Sequence, residues 1–220
     1  VSETKLLGLS DVEAPAVYSP RIRERFFGLD AVISCGDLPW HYLEFVVSML
    51  DLPLYYVQGN HVFDIEDGEG EVRHHPQGAI NLHRHVIYDP KLDLILAGIE
   101  GSLRYNRGRY QYTQRQMWQM VFGLVPQLLF NKVHYGRYLD VFITHAAPTG
   151  IHDEDDPAHK GVDAFRWLIN TFSPKLHLHG HIHLYDPFKA RETMHGQTRV
   201  INCYAYREIK FSSAQSSGRA

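Results

Sequence analysis

The stretch Lys175-Leu176-His177-Leu178-His179-Gly180-His181-Ile182-His183 decides how this chain is read. It starts as a strand-like alternation and ends in two imidazoles separated by one residue. In extended backbone, residues i and i+2 point to the same side, so His181 and His183 are expected to face one site. Gly180 can take backbone angles closed to other residues, which predicts a turn as the chain leaves the strand. Neutral imidazole is the commonest protein metal ligand, and a rigid strand end is a good place to fix two of them. The spacing alone fits a surface loop equally well. The rest of the chain has to decide.

Four apolar runs upstream end in the same manner. Lys5 to Leu9 hands over Ser10-Asp11, and Ala31 to Ser34 hands over Cys35-Gly36-Asp37. Pro53 to Val57 leads to Gly59-Asn60-His61, and Leu139 to Ile143 leads to Thr144-His145. Continuous apolar runs closed by Gly and polar residues fit strands buried on both faces. The C-terminal edge of such a sheet is where sites are built. Helical spacing connects the strands. It runs through Trp40, Leu43, Val46, Val47 and Leu50 after Pro39, and through Met117, Met120, Val121 and Leu124 behind a Thr113/Gln116 capping box. A third stripe, Val162, Phe165, Leu168, Ile169 and Phe172, is stopped by Pro174. Ile80 to Gly98 reads as a hairpin around Asp89-Pro90-Lys91, with Arg199 to Asn202 and Tyr206 to Phe211 as closing strands. No repeat or linker interrupts the pattern, which predicts one domain over 1–211 and a polar tail over 212–220.

Bulk composition narrows the class. With 220 residues, 44% hydrophobic and 21% charged, the chain can bury a substantial core. A net charge of −3 argues against a broad nucleic-acid footprint. No apolar run is long enough to span a bilayer and the opening residues lack a signal-peptide core, so a cytoplasmic protein is expected. Cys35 and Cys203 form neither a zinc spacing nor a disulfide framework. Fifteen histidines are the unusual feature. His177 and His179 read as buried strand residues; His41, His74, His75, His83, His85, His134 and His195 lack any motif context.

The strand-end residues Asp11, Asp37, Asn60, His61, His145, His181 and His183 form a mixed oxygen and nitrogen donor set without thiolate. That set suits Mn²⁺, Fe²⁺ or Zn²⁺, with enough donors for two adjacent cations sharing a carboxylate. In this order, Ser10-Asp11-Val12-Glu13, Cys35-Gly36-Asp37, Gly59-Asn60-His61, Thr144-His145 and Gly180-His181-Ile182-His183 resemble the motifs of the calcineurin-like metallophosphoesterase superfamily. The resemblance implies an α/β fold, a four-layer αββα sandwich of two mixed β-sheets flanked by helices. It also implies that Asp37 bridges two metals, one held by Asp11 and His183 and the other by Asn60, His145 and His181. Two divalent ions, Mn²⁺ first, and a small-molecule phosphoester substrate follow as expectations. The expected reaction is hydrolysis of a phosphomonoester or phosphodiester by metal-activated hydroxide, with His61 as general acid toward the leaving oxygen.

Two positions depart from the superfamily pattern. Glu13 stands where a histidine is usual, and its carboxylate either coordinates, favouring a hard ion such as Mn²⁺, or turns away and leaves that metal weakly held. Val62 replaces the acid that usually follows the third-motif histidine, which makes Asp64 the nearby candidate to orient His61. For substrate binding, Arg104 and Arg109 offer guanidinium forks matched to phosphate, set against a plain solvated loop. His152 and His159 are candidate cleft residues beside an acidic rim, Asp153 to Asp156. The competing expectation is a non-catalytic metal-binding scaffold or protein-interaction module on the same fold. Oligomeric state is not legible here.

Overall fold

Strand faces alternate along the chain, and that alternation sorts most of its apolar residues into three large cores. The computed structural model describes residues 3–61, 65–66, 72–185 and 190–212. In chain order the elements are β1 (Glu3–Ser10), α1 (Ile22–Arg25), β2 (Ala31–Ser34), α2 (Trp40–Leu50), β3 (Leu54–Tyr56), β4 (Ile65–Glu66), β5 (Val72–Arg73), β6 (Ala79–Asn81), β7 (Val86–Asp89) and β8 (Leu94–Ile99). They continue with β9 (Ser102–Leu103), β10 (Gln111–Tyr112), α3 (Gln114–Tyr135), β11 (Val141–Thr144), α4 (Asp163–Phe172), β12 (Leu176–His179), β13 (Glu192–His195), β14 (Thr198–Asn202) and β15 (Ala205–Ser212).

Two large mixed sheets result. The first has the order β15-β1-β2-β3-β6, parallel except for β15, and the second β13-β14-β12-β11-β8-β7, with antiparallel strands at both edges. Leu6, Ile33, Tyr55 and Val57 on the inner face of the first sheet meet Leu96, Val141, Ile143 and Leu178 of the second. Leu7, Leu9 and Val32 point the other way, against Trp40, Leu43 and Val46 of α2. On the far side, Ile95, Ala97 and Phe142 pack on α3 and α4 through Met117, Leu124, Phe165 and Leu168. Helices, sheet, sheet, helices is the expected four-layer αββα sandwich. Each fully buried Leu or Ile in these cores contributes roughly 1.5–3 kcal/mol by leaving water.

Local chemistry accounts for the ends of the helices. Thr113 accepts from the Gln116 N–H while the Gln116 side chain accepts from Thr113 N–H, the reciprocal cap expected for α3. α4 stops on Ser173 in a left-handed conformation, one residue before Pro174. Among the described residues, no helix is long and apolar enough to cross a membrane.

One expectation is corrected. The hairpin is confined to β7 and β8; Ile80 belongs to β6 and pairs with Tyr55 in the first sheet. Asn81 accepts from the His83 N–H at 2.7 Å, and Arg84 takes a left-handed φ of 59°, so the chain turns at Leu82 from one sheet to the other. The two expected closing strands are present, β14 in the second sheet and β15 in the first. The polar tail from residue 213 onward lies outside the described residues.

Candidate metal centre

β1, β2 and β3 of the first sheet and β11 and β12 of the second deliver their following residues to one edge of the sandwich. Three of those residues, Asp11, Asp37 and His181, have left-handed φ values of 66°, 55° and 66°. Non-glycine residues enter that region at a cost of roughly 1–2 kcal/mol, and such strain gathers at functional sites. Asp11 and His181 occupy matching three-residue turns, closed by Val12 N–H on Ser10 O and Ile182 N–H on Gly180 O. The His181 N–H donates to both Asp11 carboxylate oxygens at 3.1 Å, tying the turns and the two sheets together.

The turn at the end of β12 is made differently from expectation. His181, not Gly180, adopts the left-handed angle. Gly180 is needed for space: a Cβ there would lie 1.8 Å from Ser10 Oγ and 2.7 Å from Asp11 Oδ2. Gly59 plays the same part across the site, where a Cβ would fall 1.9 Å from Asp37 Oδ1.

Asp37 is the hub. Its Oδ1 accepts from His61 N–H at 2.8 Å, and its Oδ2 lies 3.2 Å from His145 Nε2 and 3.7 Å from His61 Nε2. His145 is fully buried, and its Nδ1 donates to the Cys35 carbonyl at 2.8 Å, which turns Nε2 into the site. That Nε2 is also 2.9 Å from Asn60 Oδ1, while Asn60 Nδ2 donates to the Tyr105 hydroxyl at 3.1 Å and so fixes which way the amide points. His181 Nε2 donates to Ala158 O at 2.7 Å, leaving Nδ1 with the lone pair. Ligand-type atoms of Asp37, His145 and His181 all lie within 4.8 Å of one another. His183 Nε2 is 3.8 Å from Asp11 Oδ1.

Charge is concentrated at this edge. Burial works to raise the Asp37 pKa, but the His145 charge and the hydrogen bonds from His145 and His61 N–H pull it down to about 2. Burial also opposes charge on His145, yet Asp37 beside it holds the imidazole up at about 9. Burial raises Asp11, while burial and the His145 charge push His181 down to about 3. A carboxylate oxygen and an amide oxygen therefore converge on one imidazole nitrogen, an arrangement that asks for positive charge at their common point. A divalent cation fits that demand, and the oxygen and imidazole set without thiolate fits Mn²⁺, Fe²⁺ or Zn²⁺.

The remaining candidates divide. His61 is mostly exposed beside Asp37, open to an incoming ligand. His183 is half-exposed, with Nδ1 2.8 Å from Tyr185 Oη. Glu13 stands apart from the group, its carboxylate 3.3 Å from His41 Nε2. Arg104 donates to the Gln111 carbonyl at 3.3 Å and Arg109 lies over the Tyr110 ring, contacts within their own loop. His152 is held between His179 Nε2 and Thr193 Oγ1, both at 2.9 Å, at a separate cavity of about 280 Å³ with Ile151 and Ile182. The His159 ring lies 5.2 Å from the His181 ring, tilted by 48°, and His159 forms a largely exposed group with Glu154 and Asp156. Val62 and Asp64 lie outside the described residues. The residue that sequence reasoning missed is Tyr105. Only its place in an aromatic, donor-rich loop after β9 could have pointed to it.

No family model and no curated protein matches the chain. Solved structures do. One superposes with a TM-score of 0.61 at 14% identity over 95% of both chains. The protein TT1561 of Thermus thermophilus gives a TM-score of 0.56 at 17% identity, covering 92% of this chain and 90% of its own. A predicted phosphoesterase from Streptococcus pneumoniae aligns more loosely, with a TM-score of 0.37 at 11% identity over 96% and 85% of the two chains. Likeness at such identities speaks to fold. With the first two of these the chain shares its fold, the four-layer sandwich that the ordered motifs implied.

Proposed function

We propose that this chain is a metal-dependent phosphoesterase acting on a small phosphomonoester or phosphodiester. The convergence of Asp37, Asn60, His145 and His181 from two sheets carries the reading. Asp11 and His183 stand beside them as a second donor pair, so these six residues together would hold two divalent cations. Divalent cations, Mn²⁺ foremost, supply activated water and neutralise charge on the phosphoryl oxygens. The chain's own groups do the rest. His145 is aimed by Cys35 O, Asn60 by Tyr105, and His181 by Ala158 O, so the donors are preorganised before a ligand arrives. His61, exposed beside Asp37, would give its ring proton to the leaving oxygen. Arg104, Arg109 and the Tyr105 hydroxyl are the candidates to meet the anion as it enters.

One observation favours a second reading, a scaffold that binds metal without turnover: Glu13 pairs with His41 instead of joining the group. Bound-metal analysis, followed by hydrolysis of chromogenic phosphomonoester and phosphodiester substrates with and without Mn²⁺, separates the two. Turnover that depends on the cation is expected. Cation uptake with no hydrolysis of either ester replaces the enzyme by the scaffold.

A further inference from the structure

α3 is apolar on the wrong side. Met117, Val121, Leu124 and Leu128 bury its inner face against the second sheet and α4. Its outer face carries Phe122, Leu129, Phe130 and Val133, which are 51, 52, 55 and 81% exposed. With half-buried Trp118 and Val125 they form a seam at 118, 122, 125, 129 and 133, the three- and four-residue steps that align along one side of a helix. Trp167 of α4 widens it, with ring centroids 5.5 Å from Trp118 and 5.1 Å from Phe122. A helix with a second, exposed apolar stripe is one built to be covered there as well.

The seam's neighbours indicate what covers it. α3 contains no Asp or Glu, and its cations are Arg115 near the start and Lys132 in the last turn. A helix lying in a membrane surface needs a polar flank rich in Lys and Arg, which α3 lacks in a chain of net charge −3. A neutral seam suits a copy of itself. The step pattern is nearly the same read in either direction, so a twofold pairing about Val125 and Pro126 sets Trp118 against Val133 and Phe122 against Leu129 of the second copy. The same register sets Arg115 at the opposite helix's C-terminal carbonyls, where a cation is favoured. Half-exposed aromatics and aliphatics along this seam amount to burial on the order of 1,000 Å² for a pair, the lower bound for a specific interface.

We infer that the outer face of α3 is a homodimer interface, formed by antiparallel pairing of α3 with α3 of a second copy of this chain. Sedimentation velocity on the whole 220-residue chain tests it. A concentration-dependent dimer with Kd on the order of micromolar is expected. Phe122→Gln with Leu129→Gln should weaken it at least about 100-fold while the circular-dichroism melt stays put. If the double variant misfolds, Val133→Gln alone, at the most exposed position, should weaken the dimer about tenfold. Under mild oxidation, Val125→Cys should form a disulfide-linked dimer and Lys91→Cys, elsewhere on the surface, should not. A chain that stays monomeric throughout, or a dimer indifferent to these substitutions, overturns the inference. So does equal cross-linking by both cysteine variants, or association only with vesicles of phosphatidylcholine and phosphatidylglycerol.

Discussion

Buried imidazoles on neighbouring strands behave oppositely. At the sheet edge, His145 has Asp37 within 3.2 Å and holds its proton up to a pKa of about 9. Within β12 and beside it, His177, His179 and His152 have no carboxylate in hydrogen-bond contact among the described residues. His177 Nε2 pairs with Thr144 Oγ1 at 2.8 Å, and its Nδ1 has no partner among the described residues. Burial drives His177 well below its usual range, His179 to about 3, and His152 downward as well. One strand thus carries neutral packing histidines on its body and candidate ligands past its end. The difference teaches that a carboxylate partner, not burial alone, decides which buried histidine holds a proton: His181, whose Nε2 meets Ala158 O, stays as depressed as the packing set.

The strongest way to break this contrast is Asp37→Asn. His145 then loses its partner and should join the neutral set. Cation content should collapse and cation-dependent turnover fall on the order of 10³-fold or more, beyond the 10–100-fold that outer-shell changes cost. Metal analysis together with kcat/KM checks both; unchanged metal content would sink the hub role of Asp37. Next in size, His61→Ala should lower kcat about 10²-fold for esters with poor leaving groups and much less for nitrophenyl esters, with bound metal unchanged. Equal losses for both would remove His61 from proton donation.

Acid and alkali sharpen the contrast further in chelator-treated protein. The folded pKa of His145, raised to about 9, gives stability that is complete below the unfolded value near 6.5 and lost as pH climbs through 9. His179, depressed to about 3, acts in the opposite window: the unfolded state takes up a proton first, so stability falls as pH drops from about 6.5 toward 3. Each slope approaches about 1.4 kcal/mol per pH unit, measurable by urea unfolding across pH. Saturating Mn²⁺ should flatten the alkaline limb alone. The smallest effect belongs to His177→Phe, which replaces a neutral ring stacked 5.0 Å from Phe142. It should change stability at pH 8 by less than about 1.5 kcal/mol and weaken the acid limb.

Much of this was legible in one sequence, because strands buried on both faces announce themselves as apolar runs and their polar successors mark one edge. The order of Asp11, Asp37, Asn60, His145 and His181 could be read directly, as could the α3 cap. What escaped depends on space across the fold. Gly180 was read for its backbone freedom, whereas its hydrogen leaves room for Ser10, 170 positions earlier in the chain. Ile80 was joined to the wrong partner because alternation does not say which sheet a strand enters. Glu13 kept its motif position, but only coordinates reveal His41 beside it. The outer face of α3 was passed over because a search for helical period stops once one apolar stripe is found.

The site's donors come from opposite halves of the sandwich, Asp37 from one sheet and His145 and His181 from the other. A cation seated among them would act as a rivet, and no fragment carrying only one sheet could present the full set. Affinity for the ion then belongs to the finished molecule. Cation supply would then be a variable of folding, able to protect the chain against heat and proteolysis.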